Sequence, residues 1–498
     1  MKTFYLKYKF LVLLFGIFFF FVAVVPFIAS GCSYPPPVLT VGEGRLIDLE
    51  SEKFDIFDGV SAKDGKGKNI DGRIKVSYGN GVTVENGQAS FPATGDYKFE
   101  YKVTDRYGKS ASAEVTVCVR NIYSVYLTNA TLPPLYCALD MAGNGYKFIF
   151  FNDRVGTVDV TVYGDRALGD YKESQADYEA ALDVFYNIYE SDDDSCFRIF
   201  FPDARNQNLL KYVVKKGIAE DRYAVKYLSD GSMSYSTSFP YRGEDAYDNW
   251  SENTALYNGM LSKAEAGEDL IFNDINLGES YMDYQLHNAY IYAAQKENAE
   301  FWGAYPETLQ SADERVQAEI DKANLIKKQP EKMYQKLTVE QREKFLASVS
   351  LDKSRFDEDY FSAEGKYLII TGTSPVYGSF SSEQFTGLLD KILREYEGYN
   401  VLFKPHPAAI PSETVCPEIY AYMVQNRIKI LPGRLPMEVL SWVYGDSLIG
   451  GFDSSLYMSI PQGNTAFFIA ENKDDLSAVS LMLYESGAFG DIKFYWVD

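Results

Sequence analysis

Two patterns of hydrophobic and polar residues divide the chain. Between residues 38 and 120 apolar and polar residues alternate, as in "YKFEYKVTD", which precedes a "RYGK" turn. This alternation places Tyr97, Phe99, Tyr101 and Val103 on one face, the pattern of a half-buried strand. The segment is therefore predicted to be an all-β module, and its length suits a β-sandwich.

From residue 121 onward, short apolar runs alternate with amphipathic helices such as Ser381–Glu397 and Pro436–Tyr444. Alternation of this kind predicts an α/β fold with largely parallel sheets. A charged segment, about Gln295–Glu358, is predicted to be helical and to separate two α/β halves. The predicted strands include "SVYLTN", "KFIFFN", "TVDVTVYG", "FRIFFPD", "YAVKYLSD", "YLIITGT", "NVLFKPHP", "RIKILPG" and "DSLIGG".

Polar clusters follow several of these predicted strands. They are "SDGS" (229–232), "TGTS" (371–374), "KPHP" (404–407) and "GGFDSS" (450–455). In parallel α/β sheets, ligands bind at the carboxyl ends of strands, so the recurrence predicts an active site. Each cluster alone also fits a structural role, as a turn or a helix N-cap.

Charge and composition exclude some functions. The 498 residues carry a formal net charge of -22, which argues against binding nucleic acid or anionic lipid surfaces. The chain has two histidines, which argues against a histidine-rich metal site. We interpret His287, within a tyrosine-rich helical stretch, as structural, whereas His406 lies between two prolines after a predicted strand.

The amino terminus carries an export signal. Three lysines among the first nine residues precede the apolar run Phe10–Ile28, and "ASGCS" follows. Small residues before a cysteine form the bacterial lipobox pattern, so residues 1–31 are predicted to be a lipoprotein signal peptide and Cys32 the lipidated residue. Residues 32–37 then form a proline-stiffened linker. The alternative is an uncleaved membrane anchor, since the run is long enough to span a bilayer. Either way the protein is predicted to be tethered in a bacterial cell envelope.

The motifs in their order along the chain resemble a known family. "VYLTNATLP", "YLSDGSMSY", "YQKLTVEQREKFL", "IITGTS", "LFKPHP", "LPMEVLSWVYGDSLIGGFDSS" and "IKFYWVD" resemble the bacterial sialyltransferases of glycosyltransferase family 80, the Pasteurella and Photobacterium type. The resemblance covers about residues 123–498. Residues 38–120 resemble the Ig-like domain that some members carry.

The resemblance implies a GT-B fold of two Rossmann-like domains. Residues 121–358 would form the N-terminal, acceptor-side domain. Residues 359–498 would form the C-terminal, CMP-donor domain, whose final segment could pack back on the N-terminal one. The implied activity is inverting transfer of sialic acid from CMP-sialic acid to a galactoside-terminated glycan acceptor.

The resemblance also assigns roles to residues. Asp230 would be the general base on the acceptor hydroxyl, and His406 would donate to the departing CMP phosphate. Ser454 and Ser455 would bind that phosphate, and Glu438 would accept the ribose hydroxyls. These residue types suit those tasks. From the residues alone, Asp230 could be a turn residue, Ser454 an N-cap, and Glu438 a first-turn helix residue.

The resemblance implies roles for two further residues, and departures from the family pattern suggest two more. Lys404 and Gly372 would lie near the nucleotide and its base. Where relatives often have a tryptophan near the acceptor, "TGTSPVYGS" offers Tyr377 instead. Arg205, in "FFPDARNQN", could bind the sialic acid carboxylate.

Two further expectations concern cofactors and alternative functions. No essential metal is expected, since CMP carries one phosphate that His and Ser donors can neutralise, and Asp192–Asp194 is predicted to lie in a solvated loop. One alternative is a CMP-dependent transferase of another keto-sugar acid of the Kdo type. The other is a non-catalytic glycan-binding surface lipoprotein.

Overall fold

A computed structural model describes residues 35–495 with gaps at 80, 129–130, 153–157, 173, 203–207, 230, 232–233, 236–240, 268–290, 292–293, 374–379, 462, 471–474, 488 and 491. The chain forms two compact units, residues 1–122 and 123–498. Among the described residues, no helix is both long and apolar enough to cross a membrane.

The first unit consists of short strands in several small sheets. Its longest strands, β8 and β9, pair antiparallel from Gly95↔Val119 to Thr104↔Ser110. Phe99, Tyr101 and Val103 of β8 are buried, which confirms the predicted alternation. The Ig-like assignment stays a prediction. The strands are β1 (Val38–Thr40), β2 (Arg45–Asp48), β3 (Phe54–Asp55), β4 (Ser61–Lys63), β5 (Lys75–Tyr78), β6 (Thr83–Glu85), β7 (Gln88–Ser90), β8 (Gly95–Thr104) and β9 (Ser110–Thr128).

The last residues of β9 belong to the second unit, where they begin the N-terminal sheet. Its strand order is β11-β10-β9-β12-β13-β14-β15. Strand β10 pairs in parallel with β9 and β11, and β12 to β15 pair in parallel with one another. The further strands are β10 (Lys147–Asn152), β11 (Ala167–Lys172), β12 (Ser195–Pro202), β13 (Tyr223–Leu228), β14 (Ala299–Gly303) and β15 (Leu325–Lys327).

The C-terminal sheet of this unit is wholly parallel, with strand order β18-β17-β16-β19-β20-β21. Its central strands β16 and β19 are mostly buried, because helices cover both faces of such sheets. The strands are β16 (Tyr367–Thr371), β17 (Asn400–Lys404), β18 (Lys429–Ile430), β19 (Leu448–Phe452), β20 (Thr465–Ile469) and β21 (Lys493–Tyr495).

Helices connect the strands of both sheets. Ser381 begins α9 with a capping box to Gln384, and Thr338 begins α7 with one to Gln341. The helices are α1 (Leu132–Gly143), α2 (Gln175–Ser191), α3 (Asn208–Lys215), α4 (Ala246–Glu265), α5 (Glu314–Ile320), α6 (Pro330–Lys336), α7 (Val339–Ser348), α8 (Lys353–Tyr360), α9 (Ser382–Glu395), α10 (Pro417–Gln425), α11 (Met437–Val443) and α12 (Ala478–Glu485).

The two halves of the second unit share one hydrophobic core. Phe345 of α7 contacts Trp442 of α11, with ring centroids 6.2 Å apart. Nearby, the Tyr444 hydroxyl donates to Asp357 of α8 at 2.7 Å. Helices α6 to α8 therefore join the two sheets.

The prediction of a strand at "TVDVTVYG" was wrong. Residues Val160–Arg166 form a 3-10 helix, with Val160 and Tyr163 buried one turn apart. The Asp159 carboxylate caps this helix by accepting from the Thr161 N–H at 3.0 Å. A side chain that satisfies the first donors of a helix favours helix over strand, which outweighed the β-branched composition.

The prediction that Gln295–Glu358 is a helical separator was wrong in part. It contains helices α5 to α8, but also strands β14 and β15, which complete the edge of the N-terminal sheet. Strands β14 and β15 have only five and three residues. Runs this short show too little alternation of apolar and polar residues for a strand to be predicted from the sequence.

Candidate functional site

Three of the predicted polar clusters meet at one edge of the C-terminal sheet. Strands β17, β16 and β19 are neighbours and parallel, so "KPHP", "TGTS" and "GGFDSS" follow their carboxyl ends side by side. The chain runs from β16 outward to β17 and β18, then crosses back to β19 on the other side of β16. This reversal of direction is the position where open α/β sheets bind ligands.

Lys404 ends β17 and is buried, with only 6% of its surface exposed. Its Nζ donates to the carbonyl oxygens of Gly433 at 2.9 Å and Pro405 at 3.0 Å. Burial lowers the pKa of Lys404 to about 8, and the charge of Glu438 opposes that shift. The amine therefore lies at the strand end among neutral oxygens.

Glu438 lies in the first turn of α11 and is partly buried. Loss of solvation raises the pKa of its carboxyl, while its own backbone N–H and the charge of Lys404 lower it. In the described part of the chain, no ion pair within 4.0 Å joins Glu438 to a cation. A carboxylate in this setting gains from a ligand that donates hydrogen bonds.

His406 is exposed, one residue beyond the buried Pro405. The Ala408 backbone N–H donates to its Nδ1 at 3.2 Å. Because Nδ1 accepts this bond, the neutral imidazole carries its proton on Nε2. The backbone after His406 thus selects the tautomer whose Nε2–H is a donor.

The double glycine of "GGFDSS" lies inside β19 rather than in a turn. A Cβ on Gly451, whose φ is +149°, would lie 2.2 Å from Thr371 Oγ1 and 2.3 Å from its carbonyl oxygen. Thr371 Oγ1 lies 3.1 Å from the hydroxyl of the buried Tyr457. Glycine is therefore required for β16 and β19 to approach closely at this edge.

Ser454 and Ser455 are exposed beyond the end of β19. Ser454 Oγ accepts from the Leu456 N–H at 3.3 Å, so Ser454 is an N-cap. The helix it caps is one 3-10 turn, Ser455–Met458, too short for an appreciable dipole. Any anion binding here must come from the hydroxyls and the remaining N–H groups.

One contact brings the "SDGS" connection of the N-terminal sheet to this edge. Gly231, after β13, lies against Ser455: a Cβ on Gly231 would be 3.1 Å from Ser455 Cβ and 3.6 Å from its Oγ. Its φ of +73° also favours glycine. Two motifs more than 200 residues apart therefore meet.

Five residues named from the sequence lie outside the described residues: Cys32, Arg205, Asp230, His287 and Tyr377. Their roles stay predictions. The remaining predicted residues of this edge are described. Gly372 donates its N–H to the Lys404 carbonyl at 2.9 Å. At the carboxyl edge of the C-terminal sheet, Gly372 lies with Lys404, His406, Ser454 and Ser455.

Sequence reasoning missed two supporting residues. The Tyr235 hydroxyl, four residues after Gly231, accepts from the Tyr305 N–H at 3.0 Å and so fixes the connection to the end of β14. Asp453 accepts from the Ser477 N–H at 2.7 Å and from the Ser480 hydroxyl, which holds the start of α12. The aspartate within "GGFDSS" was a visible signal, whereas nothing local marks Tyr235.

Comparison with solved structures identifies the fold. A 2,6-sialyltransferase of Photobacterium sp. JT-ISH-224, in a complex with CMP and lactose, is 17% identical, with 92% of this chain and 96% of that chain covered and a TM-score of 0.54. The α/β-galactoside α-2,3-sialyltransferase of Photobacterium phosphoreum is 15% identical, with 75% of this chain and 98% of that chain covered and a TM-score of 0.56. A sialyltransferase of Photobacterium damsela is 18% identical, with 91% of this chain and 99% of that chain covered and a TM-score of 0.55.

The second unit has the GT-B-like α/β fold of these sialyltransferases. No protein-family model and no curated protein matches the chain.

Within the described residues, no group of three or more His, Cys, Asp or Glu side chains could hold a metal ion. Asp193 and Asp194 are exposed in the turn after α2, and the Asp194 N–H bonds to the Asp192 carboxylate at 3.0 Å. This acidic run thus lies in a solvated turn.

Proposed function

We propose that the chain is an inverting glycosyltransferase that moves sialic acid from CMP-sialic acid to a galactoside-terminated glycan. The contact between Gly231 and Ser455 carries this proposal, because Gly231, which follows Asp230 in the sequence, lies against the edge formed by "KPHP" and "GGFDSS". The sialyltransferase fold supports it, as does the neighbour whose complex holds CMP and lactose.

The proposed reaction is a single displacement. The Asp230 carboxylate takes the proton of the acceptor hydroxyl, and the acceptor oxygen bonds to the anomeric carbon of sialic acid. The bond from that carbon to the CMP phosphate oxygen breaks, and its electron pair leaves with the phosphate. Attack opposite the leaving group inverts the configuration.

The leaving phosphate gains charge and needs hydrogen-bond donors. His406 offers its Nε2–H, since Nδ1 is occupied by the Ala408 N–H. The exposed hydroxyls of Ser454 and Ser455 add further donors. Such fixed donors stabilise developing negative charge without reorganising, so no metal cofactor is proposed.

The nucleotide would lie over the ends of β16 and β17. The Glu438 carboxylate would accept the two ribose hydroxyls, which favours its ionised form despite partial burial. Lys404 would supply positive charge, and Gly372 would lie beside the base.

On the acceptor side, Tyr377 would contact the acceptor and Arg205 the sialic acid carboxylate. Lipidated Cys32 would anchor the exported chain to the envelope.

The test uses the full-length chain in detergent with CMP-sialic acid and lactose. We expect a sialylated lactose, whose linkage analysis distinguishes α2,3 from α2,6. A parallel reaction with CMP-Kdo tests the alternative keto-sugar donor. Folded protein that neither forms product nor releases CMP from either donor would refute the proposal and favour a glycan-binding lipoprotein.

A further inference from the structure

A cavity of about 500 Å³ lies between the two halves of the second unit, and its lining residues are other than those of the clusters described above. The N-terminal half lines it with the connections that follow β14 and β15, including Tyr305, Gln310 and Gln329. The C-terminal half lines it with Met482 and Ser486 at the end of α12. Its volume is within the range of pockets that bind small ligands.

Asp230 follows the end of β13 by two residues in the sequence, and the cavity lies at the ends of the strands next to β13. Strand β13 precedes Asp230, and β14 and β15 are the next strands of the same parallel sheet. Neighbouring strands lie about 4.8 Å apart, so the ends of β14 and β15 are roughly 5 and 10 Å from the end of β13. The Tyr305 N–H, which donates to Tyr235, ties the wall of the cavity to this connection.

The chemistry of the lining fits sugar hydroxyls. Lys327 pairs with Glu307 at 2.5 Å, and the Lys327 Nζ lies 5.7 Å from the centre of the Tyr305 ring. The amides of Gln310 and Gln329 can each donate and accept, as every sugar hydroxyl can. Arg242, from the N-terminal half, donates to Met482 Sδ of the C-terminal half at 2.9 Å. This bond joins the two sides of the cavity lining.

We propose that this cavity is an acceptor subsite for the sugar residues that precede the terminal galactoside. This proposal rests on the proposed function, since the terminal galactose must lie beside Asp230. The enzyme then prefers oligosaccharides of three or more residues to disaccharides. Arg242 and Lys327 outnumber Glu307 in the lining, so its charge does not oppose neutral or acidic glycans.

The experiment compares N-acetyllactosamine with lacto-N-neotetraose, which ends in the same disaccharide, using the full-length chain in detergent. We expect the KM of the tetrasaccharide to be roughly three- to tenfold lower, as one or two additional net hydrogen bonds would give. Ser486→Trp fills the cavity and should bring the ratio of the two KM values close to one. Glu485→Trp, at the neighbouring exposed position that does not line the cavity, should keep the wild-type ratio.

Titration calorimetry with CMP present gives the same comparison without turnover. The subsite would be overturned if the wild type bound both acceptors with equal affinity. It would also be overturned if Ser486→Trp and Glu485→Trp changed the ratio of the two acceptor affinities equally. Absence of transfer to either acceptor would overturn the proposed function instead. In that case the calorimetric ratio still decides whether the cavity binds the longer glycan.

Discussion

The two sheets of the second unit hold charged side chains in different ways. In the N-terminal sheet, Arg198 of β12 forms a two-pronged ion pair with Asp140 of α1, at 2.8 and 3.2 Å. Lys226 of β13 pairs with Glu300 of β14 at 2.5 Å. In the C-terminal sheet, Lys404 contacts only carbonyl oxygens among the hydrogen bonds of the described residues.

The difference separates structural charges from charges that suit a ligand. Burial lowers the pKa of both Lys226 and Lys404, but Lys226 has a carboxylate in contact with it to offset the cost. Lys404 and Glu438 lie near a strand end and attract each other without an ion pair within 4.0 Å in the described structure. A buried charge without a close partner is costly, so the positions of Lys404 and Glu438 point to a ligand that completes their interactions.

The largest expected effect is at the connection where the two halves meet. Asp230→Asn should lower kcat by roughly 10²–10⁴-fold, because the carboxamide cannot accept the acceptor proton. Steady-state rates of CMP release with lactose measure this change. Asp192→Asn, in a solvated turn, is the matched control and should leave kcat unchanged. A wild-type rate in Asp230→Asn would remove the residue from its proposed role.

The paired charges of the N-terminal sheet should affect stability instead. Asp140→Asn leaves Arg198 without its partner and should lower the free energy of unfolding by about 3 kcal/mol, as in other broken buried pairs. Urea unfolding measures the loss, and kcat per folded molecule should not change. Asp170→Asn, which breaks the more exposed pair with Lys172, should cost less than about 1 kcal/mol. Equal losses in the two variants would contradict a stabilising role for the buried pair.

The charge at the C-terminal edge should affect nucleotide binding. Lys404→Met should weaken CMP binding by roughly tenfold, as loss of one charge-assisted contact would. Calorimetric titration measures the Kd, and unfolding should show a smaller stability change than Asp140→Asn gives. Lys366→Met, before the amino end of neighbouring β16, is the control and should bind CMP as the wild type does. The interpretation of Lys404 fails if both variants bind CMP equally.

The smallest expected effect is the pH dependence of CMP binding. In the free protein, Lys404 loses its proton above pH about 8. CMP binding then requires uptake of a proton, so the affinity for CMP should fall as pH rises, by at most tenfold per pH unit. On the acid side, protonation of Glu438, whose pKa is raised, removes the acceptor of the ribose hydroxyls, so affinity should also fall as pH falls.

Titration in buffers of different ionisation enthalpy detects the proton uptake near pH 8. Lys404→Met should abolish it, and proton uptake that persists in that variant would assign the titration to another group.

The sequence predicted most of the parallel strands and the clusters at their ends, because buried strands and polar strand ends leave local signals. The helical turn at Val160–Arg166 was missed, since it depends on a cap that competes with β-branched residues. The contact of Gly231 with Ser455 and the anchor of Tyr235 on Tyr305 could not be predicted, because each joins residues distant in the chain. The short β14 and β15 became recognisable only as members of a sheet.

Whether the two sheet edges together transfer a sugar is tested most directly by the stoichiometry of one reaction. The full-length protein is mixed with CMP-sialic acid, and the release of CMP is followed with and without lactose. We predict release that depends on lactose and is matched by one sialylated lactose per CMP. A folded protein whose release of CMP is absent, or is unaffected by lactose and gives no sialylated product, would contradict a transferase.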